Sequence, residues 1–187
     1  MHTKQHFIGA VLTGLFVLTA FFLTMAPTVT FWDAGEFIAA AFTLGIPHPP
    51  GTPLFVNIGR VICSLPLPFE IAPRLNFLSV LCGTVTAVFI FLIAAHLLEK
   101  LTRGEKSFAA RFVVLGGAAA AAIVPSFLYT AWTNTTEFEV YAVATATILL
   151  CSWLTLRMGA VESAARTQRT VLLLIYLVAL SIANHLI

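Results

Sequence analysis

Phe31-Trp32-Asp33-Ala34-Gly35-Glu36-Phe37-Ile38-Ala39-Ala40-Ala41-Phe42-Thr43-Leu44-Gly45-Ile46-Pro47-His48-Pro49-Pro50-Gly51-Thr52-Pro53 sets two carboxylates and an imidazole directly after a long apolar run. The chain around it is 59% hydrophobic and 10% charged, and ionisable groups gathered this close to apolar segments point to function. The pattern predicts a helix from Ala34 to Leu44, with Asp33 and Glu36, three apart, on one face at its start. Pro47, Pro49, Pro50 and Pro53 stop that helix and hold the segment carrying His48 in an extended path. The expected product is a pre-shaped polar patch at a membrane surface.

Outward from this stretch, the chain reads as a membrane protein. A mean hydropathy of +0.97 with so few charges excludes an ordinary soluble globule. A net charge of +2 without a basic cluster excludes a nucleic-acid partner. Cys63, Cys82 and Cys151 are too scattered for a disulfide framework or a zinc site and read as packing residues. No Walker loop, Ser/His/Asp arrangement or metal-spaced ligand set is present, so no metal and no cofactor are expected.

Five apolar runs set the expected fold: an all-α, polytopic membrane helix bundle in a single transmembrane domain. The spans are placed at about 7–26, 75–98, 112–128, 138–156 and 171–187, each near the ~20 residues that cross a hydrocarbon core. The first is read as a retained span, because it is longer than a signal-peptide core and lacks a convincing small-residue cleavage site before Phe31. Residues 27–73 form the first outer loop, and Leu54 to Leu65 within it is too short to span and fits a helix lying in the interface. Tyr129 to Glu139 is read as a short outer turn, and Arg157 to Arg169 as a polar loop.

Charge sets the orientation. Of the ten basic residues, Lys4, Lys100, Arg103, Lys106, Arg111, Arg157, Arg166 and Arg169 fall on the side of the N-terminus, and Arg60 and Arg74 fall opposite. The positive-inside rule then places the N-terminus in the cytoplasm. Asp33, Glu36, Glu70, Glu137 and Glu139 face outward with all of the candidate chemistry.

Trp32-Asp33-Ala34-Gly35-Glu36-Phe37, followed after ten residues by His48-Pro49-Pro50-Gly51, resembles the first outer loop of a family of membrane protein O-mannosyltransferases found in bacteria and animals. Glu139-Val140-Tyr141 and Asn184-His185-Leu186 also look like family motifs, and together these touch most of the chain. The resemblance corresponds to the N-terminal part of such an enzyme and implies a GT-C-like bundle. It further implies a mannose-like sugar moved from a polyprenyl phosphate carrier to a protein hydroxyl on the outer side, with the lipid-linked sugar as donor substrate. The membrane would be a bacterial inner membrane, or that of the endoplasmic reticulum in a eukaryote. A non-catalytic module binding lipid or partner subunits, or a transporter-like fragment, is the alternative reading.

Such a transfer needs a base for the acceptor proton and donors for the departing phosphate. The resemblance assigns Asp33 to the first role, with Glu36 beside it as a second catalytic candidate. Their local reading is equally an N-cap with Glu36 closing a capping-box-like pair. His48 would orient the acceptor or contact phosphate, or be an exposed loop histidine. Arg60 and Arg74 suit phosphate through their planar forks, or else serve as snorkelling anchors. Glu139, Tyr141 and His185 complete the substrate-binding candidates as pocket-wall residues, Glu139 also being placed to cap the fourth span.

Overall fold

The computed structural model describes residues 4–105, 107–159 and 163–184. Its regular elements among these are helices: α1 (Lys4–Thr24), α2 (Asp33–Thr43), α3 (Pro53–Ser64), α4 (Ile71–Leu101), α5 (Phe108–Ser126), α6 (Tyr129–Thr136), α7 (Val140–Met158) and α8 (Ala164–Ile182). Helices α1, α4, α5, α7 and α8 are each long and apolar enough to cross a membrane. The protein is therefore a polytopic helix bundle.

Helix α4 is its axis. At 31 residues it is about 46 Å long, well beyond a ~30 Å hydrocarbon core, and α1, α5 and α7 pack along it. Its length exceeds the expected 75–98 because Pro73 and Arg74 sit in its first turn, where a proline's missing N–H leaves no helical bond unmade. Small residues set the half of the bundle nearer the start of α1: Ala10, Phe91, Ala95, Ala118 and Ala122 belong to one buried cluster, the alanines letting α1 and α5 close onto α4. Helix α8 contacts α7 and has no buried residue. It starts at Ala164, so Arg166 and Arg169 lie in its first two turns rather than in a loop.

At the other end, α2, α3 and α6 make a cap on the bundle. Phe37, Ala41, Phe55, Leu75 and Phe138 form its buried core, with the Phe55 and Phe138 rings stacked at 4.1 Å between centroids. Gly59, at the centre of α3, is the contact point: a Cβ there would lie 2.7 Å from the Ala41 methyl and 3.0 Å from the Phe138 ring. The glycine that interrupts the apolar pattern of this segment is what allows α2 and α3 to touch.

Residues 129–136 form helix α6, where the sequence reading expected a turn. The Thr133 and Thr136 hydroxyls donate back to the Tyr129 and Trp132 carbonyls, and Trp132 is held edge-on against Phe21 at 5.6 Å. Four threonines and one anchoring ring in eight residues leave little periodic signal. Against α4, a Cβ at Gly83 would fall 2.2 Å from Thr135, so this glycine is required for α6 to dock.

Candidate functional site

The patch forms where α2 starts. Asp33 is the first residue of α2 and Glu36 follows one turn later, both at the positive end of the helix dipole. Trp32, at φ 65°, occupies the cap position, and no side chain caps the helix. The capping-box reading of Asp33 and Glu36 is therefore not what the structure adopts. A positive φ at a bulky residue is a strained backbone, costing about 1–3 kcal/mol, and it falls immediately beside Asp33.

Glu36 turns instead toward the loop. One of its oxygens accepts from the His48 backbone N–H at 2.7 Å, and the other lies 2.8 Å from His48 Nδ1. The same imidazole turns Nε2 to within 3.9 Å of Asp33 Oδ2. Phe37 lies under His48 with ring centroids 5.4 Å apart. The proline-rich turn thus returns His48 to the start of α2, and the three residues become one group. The hydrogen bond from the His48 ring, then that from its backbone N–H, holds the Glu36 carboxyl below its ordinary value. The bond to Glu36 in turn pushes His48 up, with Asp33 adding to the effect. Asp33, Glu36 and His48 each offer one ligand atom within 4.8 Å of the others, a spacing open to a small cation. The bonds between Glu36 and His48 account for their own part of the arrangement without one.

Glu139 backs this patch from the turn before α7. It is 8% exposed, and its N–H donates to Ser79 Oγ at 3.3 Å. Burial, followed by the charges of Asp33 and Glu137, pushes its carboxyl up to about 7, against the pull of His48. Neighbouring Glu137 accepts from the Thr30 hydroxyl at 2.8 Å, which ties the entry to α2 onto the entry to α7.

Arg60 and Arg74 serve the backbone. Arg60 donates to the Phe42 carbonyl at the negative end of α2. Arg74 donates to the carbonyls of Phe69, Leu65 and Leu67, gathering the α3–α4 loop around one guanidinium. Neither arginine bonds to Asp33, Glu36 or His48. Tyr141, 44% exposed, lines with Asn134, Thr130 and Thr86 a separate cavity of about 420 Å3 among the middle of α4, the end of α5, α6 and the start of α7. His185 lies outside the described residues.

Two supports of the site were not among the sequence candidates. Asn76, 1% exposed, donates to the Ala26 and Thr28 carbonyls at 2.9 and 3.2 Å and fixes the segment leading into α2. Ser79 fixes Glu139 by accepting from its backbone N–H. Both sit on α4 in an apolar run, where nothing in the sequence indicates which face looks inward.

Fold and patch define a multi-pass α-helical membrane protein with an acid–imidazole group at one end of its bundle. Residues 33–187 match the family described as the Protein O-mannosyl-transferase TMEM260 N-terminal domain, and the chain belongs to that family. It is 36% identical over 73 residues to the Protein O-mannosyl-transferase tmem260 of Dictyostelium discoideum, a stretch covering 37% of this chain and 9% of that protein. It is 39% identical over 84 residues to the Protein O-mannosyl-transferase TMEM260 of Mus musculus, covering 44% of this chain and 12% of that protein. The chain thus aligns with about a tenth of the length of these relatives. No solved structure matches it. The family match begins at Asp33, the first carboxylate of the patch.

Proposed function

We propose that this chain carries the acceptor-activating end of a GT-C-type glycosyltransferase, which moves a mannose-like sugar from a polyprenyl phosphate carrier to a protein hydroxyl on the outer face of the membrane. The convergence of Asp33, Glu36 and His48 at the start of α2 carries the reading. The family's name supplies the class of reaction.

In this mechanism Asp33 accepts the proton of the acceptor hydroxyl as its oxygen bonds to the sugar anomeric carbon. The bond from that carbon to the carrier phosphate breaks, and the phosphate leaves with the electron pair. General-base assistance of this kind is worth typically ~10²–10⁴ in rate. Glu36 holds the His48 ring so that Nε2 faces Asp33, and the imidazole positions the acceptor between them. Arg60 and Arg74 are the guanidiniums on this side that could stabilise the leaving phosphate, each exchanging a backbone carbonyl for a phosphate oxygen. Glu139 is assigned to the pocket wall behind the patch, Tyr141 to the wall of the separate cavity, and His185 to substrate binding. On the distribution of basic residues, this reading puts the N-terminus in the cytoplasm and the patch outside.

The test is Asp33→Asn in the full-length protein, assayed with purified polyprenyl-phosphate-linked mannose and a protein acceptor. The amide preserves size, and no cap bond depends on it, so expression and melting temperature stay near those of the parent while turnover falls at least about a hundredfold. Full transfer by this variant overturns the assignment of Asp33.

A further inference from the structure

The end of the bundle opposite the Asp33 patch holds charged groups that the proposed transfer does not use. Between the start of α1, the end of α4 and the start of α5 lies a cavity of about 350 Å3. His6, 5% exposed, lines it with its Nδ1 4.0 Å from a Glu99 oxygen. Lys4, Glu105 and Arg111 also line it. Among the described residues, none of these last three side chains makes an ion pair or a side-chain hydrogen bond. The cavity therefore presents two cations and two carboxylates in one place.

A second concavity, about 640 Å3, continues from the first and shares Gln5, Arg111 and Leu115 with it. It runs between α1 and α5 and is apolar, with Ile8, Leu12, Phe108 and Phe112 along its walls. Gly9 and Gly116 line it as well. A Cβ at Gly9 would strike the Phe91 ring at 2.5 Å, so that glycine serves the packing of α1 on α4, whereas a Cβ at Gly116 meets nothing within 4 Å. The space over Gly116 is open groove.

We propose that this end of the protein binds one phospholipid with a phosphoethanolamine head group, its head in the charged cavity and an acyl chain in the groove between α1 and α5. The reasons are charge and connectivity. A phosphodiester accepts from Arg111 and Lys4, the guanidinium offering a two-pronged donor. A primary ammonium donates to Glu99 and Glu105, which a trimethylated choline head, lacking N–H groups, cannot do. A purely anionic head would leave both carboxylates facing negative charge. The direct opening of the polar cavity into an apolar groove fits one molecule with both characters and no free phosphate. The site is independent of the sugar transfer and stands whether or not that reading does.

The experiment is native mass spectrometry of the chain purified in detergent with an equimolar mixture of dioleoyl phosphatidylethanolamine, phosphatidylglycerol and phosphatidylcholine. The parent is expected to retain phosphatidylethanolamine about tenfold over either competitor. Arg111→Gln removes the two-pronged phosphate donor and leaves Lys4, and Gly116→Leu fills the groove without meeting another protein atom within van der Waals range of its Cβ. Both should lower retention to the phosphatidylcholine level with an unchanged helical spectrum. Equal retention of the three lipids by the parent, or preference for phosphatidylglycerol, overturns the proposal. So does undiminished phosphatidylethanolamine binding in Gly116→Leu.

Discussion

The Glu36 carboxylate takes the His48 backbone N–H at 2.7 Å with one oxygen and faces the His48 ring nitrogen at 2.8 Å with the other. One side chain therefore fixes both the path of the proline-rich loop and the rotation of the imidazole, so that Nε2 is the atom left facing Asp33. The pairing is self-reinforcing, because the bond that lowers Glu36 raises His48.

Glu36→Gln should separate these effects. An amide keeps one acceptor for the backbone N–H but loses the charge that stabilises the imidazolium. The His48 titration, followed by NMR of the ring protons, then moves down in pH from its raised position toward the ordinary histidine value. In the parent, the His48 contribution to stability is present below the unfolded pKa and is lost as pH rises through the raised folded one. The Glu36 contribution is present above its unfolded pKa and is lost as pH falls through the lowered folded one. A His48 titration that Glu36→Gln leaves in place would refute the coupling.

Glu139 behaves oppositely to Glu36. Its carboxyl is raised from 4.5 to about 7 chiefly by burial, so the folded protein holds its proton where the unfolded chain has released it. The fold is thus favoured below pH 4.5 and loses that advantage as pH rises to about 7. Glu139→Gln removes the titration. Thermal unfolding in detergent should lose the share of its pH dependence that Glu139 supplies across this window, and the variant should exceed the parent above pH 7 by on the order of 1–3 kcal/mol. A parent and variant with parallel pH curves would show that Glu139 is solvated.

The five spans were legible because hydropathy over some twenty residues needs no tertiary information. Helix α2 was also legible, since periodicity acts locally, although it stops on Leu44, in the left-handed conformation, before the prolines begin. The cap was not. Trp32 takes that position, and Asp33 and Glu36 turn to His48, a choice fixed by where the loop returns. The targets of Arg60 and Arg74 were hidden for the same reason: a long side chain reaches carbonyls up to eighteen residues away, and sequence gives its reach without its direction. Helix α6 escaped because eight residues dominated by threonine carry too short a pattern.

The arginines differ in what they hold, and their lysine variants should differ accordingly. Arg74 gathers three carbonyls, a fork that one ammonium cannot reproduce. Arg74→Lys is expected to lower the melting temperature and to raise KM for the lipid-linked donor. Arg60 has one carbonyl partner, so Arg60→Lys should raise the donor KM with little loss of stability. Steady-state kinetics with the full-length protein decide the point, and unchanged donor KM in both variants sends the phosphate role to other residues.

The proposed orientation rests on where the helices put the basic residues. The start of α1, the α4–α5 turn and the start of α8 share one end of the bundle and carry Lys4, Lys100, Arg103, Arg111, Arg166 and Arg169. The end formed by α2, α3 and α6 carries Arg60 and Arg74. With Cys63, Cys82 and Cys151 replaced by alanine, single cysteines at the exposed positions Pro49, Pro68, Glu105 and Ser163 report on the two ends. A membrane-impermeant maleimide added to intact cells or sealed vesicles of known orientation should reach Pro49→Cys and Pro68→Cys from the outer side. It should reach Glu105→Cys and Ser163→Cys after permeabilisation alone, because the larger set of Lys and Arg residues is retained in the cytoplasm. Labelling of Glu105→Cys from outside would invert the protein, place Asp33 and His48 in the cytoplasm, and remove the patch from any acceptor on the outer face.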